Sequence, residues 1–425
     1  MIVPALAIFV VTYILMLIFS KYRTYIALSS ALIYVVFGML PVSEVFSAID
    51  FNVILMIAGT MGIVALFIES KMPALLADLI MAKVPNVMAL AVAMSLFAGI
   101  ISAFVDNVAT VLMVAPVALA ICKKLGTNPV PFIIAIAVSS NLQGAATLVG
   151  DTTAIMLGSA LDMSFIDFFW YHGRPGMFFA VEMGAILSAL IIAFIFRKER
   201  SAIPKEGTRT EVTDYLPTVL LVGTIALLII ASFIPKKPAI TNGLICCALM
   251  VIGVVVNLIK KKKVSAITDP LKEIDFDTIG LLVGLFIIIG AIDEQGVIDA
   301  AANLLAKAGG DNIFVLYTVI VWASVLISAF IDNIPYVATM IPIIAGLASA
   351  LNIADPTILY FGLLSGATLG GNCTPIGASA NITGIGILRR EGYTVKNSDF
   401  FKIGIPFTLA AIIPAYIYLW LMYGI

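Results

Sequence analysis

Two aspartates occupy surroundings where a charge is costly. Asp106 and Asp332 lie within near-identical hexapeptides, Ser102-Ala-Phe-Val-Asp-Asn107 and Ser328-Ala-Phe-Ile-Asp-Asn333, which match at five of six positions at an offset of 226 residues. Each follows one long apolar run and precedes another, so each tip is expected near mid-membrane. A central aspartate there costs roughly 2.5–3.5 kcal/mol on insertion scales. Capping the second helix would explain an oxygen at this position, but serine or asparagine would cap without the charge. The pairs Asp106-Asn107 and Asp332-Asn333 are therefore read as a binding site for a small ion, with capping as a compatible second role. Carboxylate and amide oxygens suit a hard cation, and a sodium site is expected at Asp106, Asn107, Asp332 and Asn333.

A second pair of polar interruptions accompanies the first. Gly144-Ala-Ala-Thr-Leu-Val-Gly-Asp151 breaks an apolar run with Thr147, Asp151 and, next to it, Thr152. Ser365 to Ser379 breaks another with four glycines, Asn372, Thr374 and Pro375. The two stretches align at an offset of 221 with four of eight positions identical. Glycine and proline free backbone carbonyls, which a membrane tolerates where they line a cavity. Thr374 before Pro375 reads as a helix N-cap followed by proline at the first helical position. Glycines for close packing explain the small residues but not Asp151 and Asn372. Thr147, Asp151, Thr152, Asn372, Thr374 and Ser379 are therefore expected to complete the ion site, on two discontinuous helices at equivalent places.

Charge placement narrows the ligand. Every lysine and arginine falls in a loop or at the end of a span, whereas Asp106, Asp151 and Asp332 lie in the four central elements. A negative centre disfavours a bare organic dianion and favours sodium. A carboxylate held away from water is expensive to keep charged, so the same group is expected to take a proton when sodium leaves. Competition of proton and sodium for one aspartate is the simplest antiport mechanism. Other features carry less. Glu182 lies inside a span near Arg174, His172 belongs to an interfacial belt with Trp170 and Tyr171, and Lys260 to Lys263 form an anchor that suits anionic lipid. Glu69 and Glu294 sit at span ends. The four cysteines show no metal or redox spacing, and Cys373 alone is a weak arsenite ligand. No phosphate loop and no nucleophile–base set is present, so neither an ATP-driven pump nor an enzyme is expected, and no cofactor beyond sodium or protons as coupling ions.

These groups need a membrane frame, and composition supplies one. The chain has 425 residues, 62% hydrophobic and 12% charged, with a mean hydropathy of +1.13. That excludes an ordinary soluble domain and gives an all-α polytopic membrane protein. Nothing in the charge balance suggests nucleic acid as a partner. Spans are read at 2–19, 25–40, 51–69, 129–160, 174–196, 215–234, 240–259, 276–293, 356–388 and 404–423, with re-entrant hairpins at 87–122 and 312–350. The first run lacks a basic leader and a cleavage site before Lys21, so it is read as a retained span. With ten crossings, all 24 lysines and arginines except Arg174, Lys236, Lys237 and Lys307 fall on one side, expected to be cytoplasmic, with both termini outside. Five crossings per half, an odd number, make the halves inverted repeats: 1–196 and 214–425, joined by a cytoplasmic linker, 197–213. Phe51, Gly59 and Glu69 recur as Phe276, Gly284 and Glu294, and Pro116 recurs as Pro342.

In these motif pairs the sequence resembles the ion transporter superfamily, which includes arsenite permeases, sodium/proton antiporters of the NhaD type, the melanosomal P protein and citrate-transporter-like permeases. The likeness is closest in Ser328 to Pro342 and Gly370 to Asn381, with Asp106-Asn107 and Gly150-Asp151 in the first half. It implies two hairpins, two unwound helices, a scaffold and a moving transport domain, and a homodimer in a prokaryotic plasma membrane. Dicarboxylate carriers of the superfamily carry Ser-Asn-Thr at the tips, where this chain has Val-Asp-Asn and Ile-Asp-Asn. The expected function is a secondary transporter of a small inorganic ion coupled to protons or sodium. Arsenite or antimonite efflux, symport of a carboxylate or other anion, and an ion channel on the same fold are the alternatives.

Overall fold

The computed structural model describes residues 2–203, 210–263, 265–310 and 312–425. Lys205, Pro204, Gly207 and Arg209 of the linker lie outside the described residues. The first half comprises α1 (Ile2–Ile18), α2 (Arg23–Val36), α3 (Val45–Ala48), α4 (Phe51–Glu69), α5 (Met72–Met81), α6 (Val87–Ser102), α7 (Asn107–Leu125), α8 (Val130–Gly144), α9 (Thr152–Ala160) and α10 (Met177–Ile195). The second comprises α11 (Leu216–Ser232), α12 (Thr241–Lys261), α13 (Ser265–Lys272), α14 (Phe276–Glu294), α15 (Val297–Gly309), α16 (Ile313–Ser328), α17 (Asn333–Ala350), α18 (Thr357–Gly370), α19 (Ser379–Arg390) and α20 (Asn397–Tyr423). Among the described residues the protein is all-helical except for a short two-stranded ribbon, β1 (Trp170–Tyr171) against β2 (Arg174–Pro175). Its turn holds His172 and Gly173 at positive φ, and the imidazole stacks on Tyr171.

Among the described residues, seven helices, α4, α7, α10, α12, α14, α17 and α20, are long and apolar enough to cross a bilayer alone. The outer faces of α1, α2, α10, α11 and α12 expose large apolar side chains such as Val3, Leu32, Leu190, Val219 and Val251, as a helix facing lipid does. The segments read as single broken spans resolve into α8 plus α9 and α18 plus α19, and the two hairpins into α6–α7 and α16–α17. α20 begins at Asn397, a turn and more before the expected start, where the Asp399 carboxylate in its first turn accepts from the Lys396 amide at 3.4 Å.

The core is built around the first halves of the broken helices. Every residue of α18 and all but Pro131 of α8 is buried. Both helices are buried on all faces, so protein surrounds them on every side. α6 packs on α8 and α16 on α18, while α4 pairs with α12 and α14 with α2.

Local chemistry sets the same starts in both halves. Asp50 caps α4 by accepting from the Val53 amide, and Asp275 caps α14 by accepting from the Thr278 amide, each at 3.0 Å. Asn86 and Asn312 cap α6 and α16, and Asp106 and Asp332 cap α7 and α17. A Cβ on Gly59 would lie 2.5 Å from the Cys246 backbone on α12, and one on Gly284 would lie 2.8 Å from the Ala27 backbone on α2. These glycines let paired helices touch at the backbone.

Gly59→Val and Gly284→Val are each expected to cost about 1–3 kcal/mol or more through overpacking, seen as a lower melting temperature in detergent. Gly223→Ala on α11, where a Cβ meets nothing within 4 Å, is expected to leave it unchanged or raised by helix propensity.

Candidate ion-binding site

The tips of the two hairpins are held by the breaks in α8–α9 and α18–α19. Thr147 Oγ1 donates to the Ala103 carbonyl, and Thr374 Oγ1 donates to the Ala329 carbonyl. The same hydroxyls accept from the Val149 and Ile376 amides at 3.4 and 3.3 Å. A Cβ on Gly150 would lie within 3 Å of the Ser102 and Ala103 carbonyls, and one on Gly377 within 3 Å of those of Ser328 and Ala329. The tip backbone therefore lies directly on the break, where only glycine fits. These paired contacts run at an offset of 227, not the 221 of the sequence match. In that register Asp151 stands opposite Ala378, Thr152 opposite Ser379, and Asn141 opposite Thr368.

The tips and breaks enclose a polar network. Asn107 Nδ2 donates to Asn141 Oδ1 at 3.1 Å, and Ser140 Oγ donates to the Asn107 carbonyl at 2.9 Å. Asn141 Nδ2 donates to the Thr368 carbonyl at 2.7 Å and to Asn372 Oδ1 at 3.0 Å. On the other side, Asn333 Nδ2 and Thr153 Oγ1 both donate to Asp151 Oδ2, at 3.3 and 2.8 Å, and Thr153 pairs with Thr368. Asn141, Asp151 and Thr153 bond to Thr368, Asn372 and Asn333 of the opposite half, so the two halves meet through side chains as well as packing.

One cavity of about 460 Å³ reaches this network from the surface. Its floor includes Asp106, Asn107, Asp151, Thr152, Asn333 and Ser379, and its mouth includes Lys21, Arg23, Asp275 and Asp277. Asp275 and Asp277 are exposed, whereas Asp151, Asn107 and Asn333 are buried. Among the described residues, Asp106 Oδ2 accepts only the backbone amides of Val108 and Ala109, at 2.9 and 3.2 Å. Asp332 differs: its Oδ2 accepts from Arg23 at 2.5 Å and from Ser379 Oγ at 2.8 Å. Its side chain is 13% exposed.

Six of the ten residues singled out by sequence line this cavity. Asp332 does not line it and is tied to Arg23, which does, so a sodium ion on Asp332 would compete with a guanidinium already in place. Thr147, Thr374 and Asn372 do not line it. The two threonines spend their hydroxyls on the tip backbone, and Asn372, wholly buried, spends its amide on the Val138 carbonyl and Asn141. Sequence reasoning missed Asn141, Thr153 and Thr368. Their signal was polarity in otherwise apolar runs, in Ser139-Ser140-Asn141 above all. It also missed Arg23, which reads as an ordinary loop cation; the expectation of a centre without cations fails at this residue.

The citrate transporter family model matches residues 13–366. The chain belongs to the citrate transporter family. It is 32% identical over 429 residues to an uncharacterized transporter of Mycobacterium tuberculosis, covering 99% of this chain and 98% of that one. It is equally identical to a 46 kDa membrane protein of Mycobacterium leprae, with 99% of both covered. The P protein of mouse is 26% identical, over 95% of this chain and 58% of its own length. Among solved structures, the YdaH transporter of Alcanivorax borkumensis shares the fold, with a TM-score of 0.64 at 14% identity over 90% of this chain and 87% of that one. The protein is thus an integral membrane transporter of the citrate transporter family, within the ion transporter superfamily.

The cavity gives a direct test of accessibility for this citrate transporter family member. Ile382 on α19 faces it and is 49% exposed, whereas Ile155, at the matching position of α9, is 2% exposed. On a cysteine-free background, Ile382→Cys is expected to react with a water-soluble maleimide at least about tenfold faster than Ile155→Cys. Equal rates would mean the cavity is not open to water.

Proposed function

We propose that this transporter is a secondary active carrier in which Asp106 and Asp151 bind a small inorganic cation, sodium, and release it in exchange for protons. One observation carries the reading. Among the described residues, Asp106 and Asp151 are the carboxylates on the cavity floor and have no ion-pair partner, while Asp332, which does not line the cavity, has Arg23. Around them stand oxygens suited to a hard cation: Asn107 Oδ1, Asn333 Oδ1 and Thr152 Oγ1 accept no hydrogen bond among the described residues. Asn107 and Asn333 direct their amide nitrogens elsewhere, which leaves those oxygens for an ion.

Access from one side follows from the exposed mouth, and exchange with the other side requires the tips to move against the breaks they rest on. Within this reading the halves are inverted repeats, both termini are outside, the chain sits in a prokaryotic plasma membrane and two copies form a homodimer. Cys373 does not line the cavity, so arsenite efflux gains no thiol at the site. A second reading is carried by Lys21 and Arg23 at the cavity mouth together with the family's citrate description. In it a carboxylate anion travels with the cation.

Proteoliposomes with an imposed pH gradient test both. Sodium uptake driven by that gradient is expected for the wild type. Asp106→Asn and Asp151→Asn are each expected to lower it by at least about tenfold and to abolish its pH dependence. Wild-type rates in both variants would overturn the cation site. Sodium-dependent citrate accumulation by the wild type would establish the second reading.

A further inference from the structure

The two mirrored tip carboxylates are not equivalent, and the difference traces to one residue. α2 and α12 hold matching places in the two halves. Gly284 of α14 packs against Ala27 of α2, and Gly59 of α4 against Cys246 of α12. Thr24 Oγ1 donates to the Asp277 carbonyl, and the Gly243 amide donates to Asn52 Oδ1. Both pairs of contacts relate α2 to α12 at an offset of 219. In this register Arg23 corresponds to Asn242. The same comparison gives Asp332 the counterpart Asp106 and Ser379 the counterpart Thr152.

The second half is filled: Asp332 Oδ2 accepts from both Arg23 and Ser379. In the first half neither Asn242 nor Thr152 donates to Asp106 among the described residues, and both Asp106 and Thr152 face the cavity. An arginine pairs with a carboxylate in fixed geometry and never gives up its proton. Held at 2.5 Å on a carboxylate that is 13% exposed, it also occupies the position a cation would take.

We propose that Arg23 is a specificity-determining residue: a resident counter-ion that withholds Asp332 from the transported cation, so that the duplicated tips supply one cation site instead of two. This rests on the reading of Asp106 and Asp151 as the cation-binding pair. Lys21, Asp275 and Asp277 also face the mouth near Arg23. The two aspartates help hold the guanidinium there, and Lys21 adds a second positive charge on the same side. Removing the guanidinium leaves Asp332 with the Ser379 hydroxyl and the Ile334 amide as donors and no cation, much as Asp106 now has two backbone amides and no cation. The freed carboxylate then binds sodium.

The test compares melting temperatures of the full chain in detergent at pH 8, in sodium chloride against choline chloride. Arg23→Asn is expected to gain a sodium-dependent rise of about 2 °C or more beyond that of the wild type. Adding Asp332→Asn is expected to abolish that gain, and Arg23→Lys to show none. Binding of radioactive sodium to the purified chain is expected to rise from one ion in the wild type to two in Arg23→Asn. The proposal is overturned if Arg23→Asn shows no added sodium response, or if the response survives Asp332→Asn. Failure of the underlying cation site has a different signature: a wild type without sodium stabilisation that Asp106→Asn leaves unaltered. The comparison between Arg23→Asn and its double variant reads Asp332 in either case.

Discussion

A membrane interior offers no water to a backbone carbonyl or amide, and this constraint organises the protein. Interrupting two helices and turning two hairpins at depth exposes backbone groups that must be satisfied by protein. The structure does this by laying each hairpin tip on a break: threonine hydroxyls reach from Thr147 and Thr374 to the tip carbonyls, and Gly150 and Gly377 permit the approach. Asp106 and Asp332 then cap the helices that leave the tips. Each break thus satisfies a tip, and the charged caps are carried to the centre as a consequence.

Around that clasp, two functions separate cleanly. Asn141, Asn372 and Thr368 are buried and bonded across the halves as a joint, and Thr147 and Thr374 are buried and spent on the tip of their own half. Asp106, Asp151, Asn107, Asn333, Thr152 and Ser379 reach the cavity and have spare oxygen valence or a charge to offer. A residue in the first group supports the geometry of the second, so substitutions there act on position before they act on binding.

The opening of the cavity on one side also breaks the equivalence of the halves. On one side Ser379, Ile382 and Thr383 of α19 stand across open space from Asp275, Asp277 and Thr278 of α14. On the other, α9 rests on α4, and Ser159 donates to Asp50 at 2.5 Å. The duplicated sequence thus adopts two arrangements in one molecule, open about α14 and closed about α4.

Much of this was legible in the amino-acid order alone. Hydropathy dictated a helical membrane protein, the recurring Asp-Asn pairs marked the tips, and runs of glycine with isolated polar residues marked the breaks, because lipid tolerates neither charge nor unpaired backbone without cause. The register of the breaks was misread, since Ala-Thr-Leu and a glycine recur in both stretches six residues from the contact that defines the true match. Tertiary structure alone decided which polar residues face a cavity and which are spent on the joint, because Thr147 and Thr152 are alike in composition and differ only in where their hydroxyls point. It alone brought Arg23, remote in sequence and ordinary as a loop cation, onto Asp332. An ion pair between residues 309 apart leaves no trace in local pattern; only the packing of α2 beside α14 places that guanidinium within reach.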